Sequence, residues 1–175
     1  IFLPKKVSTE QSIGINAPTE LVFNAVNDFS QWENWSSWKE SDSTMVATLA
    51  ENHIGEGGSY SWTGEVVGDG KMTIVSSEAN KAIKTDVGFG PMGSANGSWT
   101  FETTEEGTKV DWDVVSNLTY PFNIMLLFMD FEEMMSNQFQ RGLELLKEHA
   151  EEEAANQTTT YEVQEIDLPV KYFLG

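Results

Sequence analysis

INAPTELVFNAVNDFSQWENWSSW, residues 15–38, is the stretch whose reading decides the fold. Ile15 closes a run from Val7 in which Ile13 and Ile15 alternate with polar neighbours, the period of a strand. Asn16-Ala-Pro-Thr-Glu20 then opens a helix, with Pro18 in its first turn or Thr19 as its cap. Leu21, Val22, Phe23, Ala25 and Val26 supply its apolar side, and Asn27-Asp28 ends it. Phe29 to Trp38 reads as short irregular or helical structure. It carries Trp32, Trp35 and Trp38 at three-residue spacing, which puts them on roughly one face if the segment is helical.

Beyond Thr44 the signals become strands and turns. Met45 to Leu49 is a short strand, and Tyr60 and Trp62 point the same way after the glycines at 55, 57 and 58. Asp69-Gly70 marks a tight hairpin turn, followed by Met72 and Ile74 and then Ala82 to Val87. Gly88 to Gly97 is a Gly-rich connection. Trp99 and Phe101, then Val110, Trp112 and Val114, alternate with polar residues, so these strands have one buried and one wet face. Phe122 to Ala150 has the period of a long helix through Phe128, Phe131, Met135, Phe139 and Leu146. Strand, two short helices, a run of strands and a long helix make an α+β fold. Its curved antiparallel sheet wraps around the long C-terminal helix.

The 175 residues suit one domain with a fragment to spare. Ten Lys plus Arg against 28 Asp plus Glu leave a net charge of −18. Such a surface repels phosphate, so no nucleic-acid partner is expected. Cys is absent, which excludes thiol chemistry and disulfides. His53 and His149, far apart in sequence, make no metal site, and no cofactor is expected. His149 reads as a helix C-terminal residue favoured by the dipole. Arg141 reads either as a surface cation beside Glu144 and Glu148 or, turned inward, as a holder of a ligand carboxylate. Glu56, Glu65 and Asp86 lie on strands or strand ends, and any one that is buried could move protons.

Both ends differ from the middle. Ile1-Phe-Leu-Pro-Lys-Lys6 reads as the remnant of a membrane anchor or leader, or as the start of the first strand. Residues 153–160 read as a polar linker, and 161–175 as a strand opening a further domain or folding back on the first. The expected location is the cytoplasm or the cytoplasmic face of a membrane, with the periplasm and the oligomeric state left open.

On three segments, Ile15–Trp38, GTKVDWDV at 107–114 and FQRGLELLKEHAE at 139–151, the chain resembles a known group. This is the polyketide cyclase/dehydrase branch of the START and birch-pollen-allergen-like (helix-grip, SRPBCC) superfamily. The resemblance covers residues 7–152. FLPKK at 2–6 and Tyr161–Gly175 are similar to members with an N-terminal membrane helix and a following gyrase-inhibitor-like effector-binding domain. What the resemblance implies is a deep apolar cavity between sheet and helix, holding a small lipid-like, polyketide-like or aromatic partner. The roles implied are sensing or carriage, a cyclase/dehydrase reaction using a pocket acid, or protein interaction of the chaperone-regulator type.

Candidate ligand contacts follow. Trp32 and Trp38 read either as core filler between the short helices and the sheet or as a grip on ligand at the cavity entrance, while Trp35 is structural. Tyr60, Trp62, Met72, Trp99 and Trp112 face inward from the sheet. Phe128, Phe131, Met135 and Phe139 face them from the helix. Phe89 and Met92 belong to the Gly88–Gly97 stretch, which reads as a plain connection or as a lid over the mouth.

Overall fold

The structure is a computed structural model that describes the backbone of residues 6–127 and 130–166, with side chains at 6–124 and 130–159. In chain order the elements are β1 (Lys6–Ile15), α1 (Thr19–Asn27), a 3-10 turn (Phe29–Gln31), α2 (Trp32–Trp35) and α3 (Ser37–Ser41). There follow β2 (Val46–Leu49), β3 (Ser59–Thr63), β4 (Gly70–Glu78), β5 (Ala82–Gly88), a 3-10 turn (Gly90–Met92), β6 (Gly93–Thr104) and β7 (Gly107–Leu118). A 3-10 segment (Phe122–Leu127) and α4 (Phe131–Ile166) complete the described chain.

The strands form one seven-stranded antiparallel sheet in the order β1-β7-β6-β5-β4-β3-β2. α4 lies against its concave face. Phe139, Leu143, Leu146 and Ala150, spaced four, three and four apart, are all buried on that side. Polar contacts fix the helix at both margins. Gln11 donates to Ser136 Oγ at 2.5 Å, and Lys147 Nζ donates to the Gly14 carbonyl at 3.0 Å. Ser37 Oγ donates to the Gln138 carbonyl at 3.1 Å, and Arg141 grips Glu40 through two hydrogen bonds of 3.0 and 2.8 Å.

Local chemistry sets the joints. Pro18 stands at the start of α1, where its missing N–H costs nothing. The tryptophan segment is two helices rather than one, because Ser36 adopts extended backbone between them. Trp32 and Trp35 turn back on α1 and donate their indole N–H groups to the Val26 and Ala25 carbonyls at 3.0 and 3.1 Å.

Three expectations change. The long helix starts at Phe131 and not at Phe122, because Asp130 caps it by accepting the Glu133 N–H at 3.0 Å. The expected connection at 88–97 is mostly strand: only Gly90–Met92 turns, and β6 begins at Gly93. Gly93 has φ 136°, and a Cβ there would strike the Asn117 carbonyl oxygen at 2.0 Å. α4 is helical through 153–160 and on to Ile166, so His149 lies inside the helix, with Nε2 3.7 Å from Glu153. The strand expected from Tyr161 begins as helical backbone. A linker can be helical, so this bears on conformation and not on a domain boundary.

The turn after α3 is tied to the β3–β4 loop by one buried carboxylate. Asp42 accepts from Thr44 Oγ1 at 2.5 Å and Thr44 N at 2.9 Å, and from the backbone N–H groups of Val66 and Val67 at 2.8 and 3.0 Å. These bonds, Thr44's hydroxyl foremost, hold its pKa down at about 2.

Leu146→Ala, at a fully buried position, is expected to cost about 2–5 kcal/mol in urea unfolding. Asp42 favours the fold when ionised. Its contribution is present above the unfolded carboxylate pKa near 3.8 and fades as pH falls toward about 2. Asp42→Asn should therefore lower Tm at pH 7, and the gap between variant and wild type should close across that window.

Candidate functional site

Strand register builds the concave face in rows. Met72, Val87, Ala95 and Ser116 are successive partners across β4, β5, β6 and β7. Thr85, Gly97 and Val114 form the next row, and Ile83, Trp99 and Trp112 the one after. Between these rows and α4 lies a cavity of about 60 Å³. Trp32 and Trp38 approach from the short helices, Met45 from the turn before β2, Tyr60 and Trp62 from β3, and Met135 and Phe139 from α4. Gly97 keeps the floor open: a Cβ there would lie 2.5 Å from Thr85 Oγ1.

The wall is an aromatic network. Trp99 and Trp112 stack at 4.0 Å with planes 17° apart. Phe139 meets Trp112 edge-on at 4.6 Å, and Trp38 meets Phe139 at 6.2 Å. Trp32 packs on Trp35 at 4.6 Å, Tyr60 on Trp62 at 5.4 Å, and Trp62 on Phe89 at 6.1 Å. Trp62 also folds over Gly70, where a Cβ would come within 2.2 Å of its ring.

Polar groups are few. Thr85, Ser116 and the Tyr60 phenol are on the wall, and no Asp, Glu, His, Lys or Arg lines it among the described residues. Burial pushes the phenol of Tyr60 above its usual range, so it is neutral at any ordinary pH. The indole N–H of Trp99 is buried without a hydrogen-bond partner among the described residues. Such an arrangement can hold apolar and aromatic surface and offer a donor or two to an oxygen atom.

Ten of the thirteen candidate contacts line this cavity: Trp32, Trp38, Tyr60, Trp62, Met72, Phe89, Trp99, Trp112, Met135 and Phe139. Met92 and Phe131 do not. Met92 reaches toward Gly68 instead, and Phe131 sits at the first turn of α4, half-buried. Phe128 lies outside the described residues. Met45, Val67, Thr85, Gly97 and Ser116 were not foreseen. Thr85, Gly97 and Ser116 are small or polar, and only cross-strand register brings them inward. Met45 and Val67 reach the cavity from the turn before β2 and the β3–β4 loop, where no strand period marks them.

Other candidates resolve at the surface. Arg141 joins Glu40, Glu144 and Glu148 and does not enter the cavity. Its hydrogen bonds lower the Glu40 pKa and raise its own. Glu56, Glu65 and Asp86 are exposed, so none is a buried acid. His53 faces Asp28 at 3.9 Å, and no metal-binding cluster occurs among the described residues. No described helix is long and apolar enough to cross a membrane. The implied cavity is also smaller than its family resemblance suggests: about 60 Å³ holds a few water-sized groups, against roughly 300–1,000 Å³ for sites of drug-sized ligands.

A Streptomyces cyaneus protein, provisionally assigned as a polyketide cyclase, is 28% identical over 111 residues, 59% of this chain and 68% of its own length. A Staphylococcus aureus protein of unknown function superposes with a TM-score of 0.66 at 15% identity, covering 87% of this chain and 97% of its own. The di-domain ARO/CYC protein StfQ of the steffimycin biosynthetic pathway superposes at 0.63 and 14% identity, over 86% of this chain and 52% of its own. These two likenesses establish the helix-grip fold. The family model for polyketide cyclase / dehydrase and lipid transport matches residues 6–151, and the chain belongs to that family.

Proposed function

We propose that the chain binds a small apolar or aromatic molecule, lipid-like or polyketide-like, between the sheet and α4, for sensing or carriage. The observation that carries this reading is the wall itself: a cavity bounded by aromatic rings, with no ionisable side chain among the described residues except a neutral phenol. The family description, which joins polyketide chemistry to lipid transport, supports the same ligand class.

The small volume means that ligand must make its own room. Met45, Met72 and Met135 line the cavity, and their unbranched side chains can move aside at little cost. A cyclase/dehydrase-type enzyme is the second reading, favoured by the Streptomyces relative and by the phenol of Tyr60 on the wall. The described lining offers that reaction no carboxylate, which is why binding is preferred.

Native mass spectrometry of gently purified protein and titration with Nile red, a flat uncharged dye, test the proposal. Saturable one-to-one binding is expected. Gly97→Ala, which drives a methyl into the space held by Thr85 Oγ1, should weaken it about tenfold, or 1.4 kcal/mol. No adduct and no dye uptake by the wild type would sink the reading. Tyr60→Phe separates the two functions: a carrier keeps its affinity, whereas an enzyme that uses the phenol loses its rate.

A further inference from the structure

A second space, of about 150 Å³, lies between the short helices and β2. Phe29, Ala47 and Leu49 give it apolar walls. Trp32, Met45 and Tyr60 line this space and the inner cavity alike, so they are the partition between the two.

Two of the three are fixed. Trp32 is 4% exposed, tethered to the Val26 carbonyl and wedged between Phe29 and Trp35. Tyr60 is 5% exposed and packed on Phe29 and Trp62. Met45 is different. It is half-buried, its thioether has no polar tether, and it precedes a four-residue strand at the edge of the sheet. Among the described strands β2 pairs on one side only, with β3. Rotating one flexible side chain therefore joins the two spaces without breaking a hydrogen bond.

The outer rim is polar. Lys39 and Glu33 face each other at 3.6 Å, both more than half exposed, and Ser36 Oγ is buried without a hydrogen-bond partner among the described residues. We propose that the outer space is the portal and outer half of a single ligand site, with Met45 as its movable partition. The ligand is then an elongated molecule with an apolar inner end and an oxygen-bearing outer end beside Ser36. This rests on the binding function proposed above and specifies the shape and polarity of what is bound.

Stopped-flow uptake of Nile red by the full chain tests it. Met45→Ala is expected to speed association about tenfold. Leu49→Trp, which fills only the outer space, is expected to weaken equilibrium affinity about tenfold, or 1.4 kcal/mol. Leu49 is 43% exposed on an edge strand, so this variant keeps the fold, and circular dichroism verifies that. If both variants retain wild-type rate and affinity while Gly97→Ala still weakens binding, the dye sits in the inner cavity alone. The portal is then overturned and the binding function stands. If the wild type takes up no dye, both fall together.

Discussion

The stacked indoles of Trp99 and Trp112 set the spacing on which the rest of the molecule depends. They stand at paired positions of β6 and β7, so the backbone ladder brings the rings together and the sheet's curvature tips them toward α4. A curved sheet and a straight helix are not complementary shapes, and the gap between them must be filled by large groups or left open. Here it is mostly filled. Phe139 closes on Trp112 from the helix, and Gly142 lets the helix come near, since even a Cβ there would touch Trp112 at 3.4 Å. The small cavity is the remainder.

The charge distribution complements that interior. The ionisable groups whose pKa departs from normal, Asp42 and Tyr60 aside, belong to exposed pairs such as Arg141 with Glu40 and Lys109 with Asp111. None reaches the cavity wall. A net charge of −18 surrounds a lining that holds no countercharge among the described residues, so the field disfavours anionic molecules at a distance and no described lining group compensates for them. Under the proposed binding function, recognition would come from shape, ring contacts and single hydrogen bonds.

Most of the architecture was legible in the sequence because it is written in periods. Alternation gave the inward face of β7 through Val110, Trp112 and Val114, and the helical period gave the buried stripe of α4 through Phe139 and Leu146. Aromatic residues on those faces had nowhere to go but the interior, which is why ten candidate contacts line the cavity. What failed was punctuation. Asp130-Phe-Glu-Glu133 is an N-terminal helix signature that outweighed the apolar run before it. Glycines read as a loop became strand because Ala95, Gly97 and Trp99 supply the inward alternation of β6. Thr85 and Ser116 look like ordinary strand residues until register pairs them with Gly97 and Ala95. The extent of α4 was hidden because Asn156 and Thr158 to Thr160 are weak helix formers, yet they extend a helix that is already nucleated.

The same stack gives the molecule an optical property. All six indoles, at 32, 35, 38, 62, 99 and 112, line the cavity or pack directly on those that do. Two of them lie almost face to face at 4.0 Å, close enough for their electronic transitions to mix. The protein thus carries one coupled chromophore at its centre and no distant tryptophan to dilute the signal. Any shift of the sheet against α4 is written into its ultraviolet ellipticity and emission, without a label being attached.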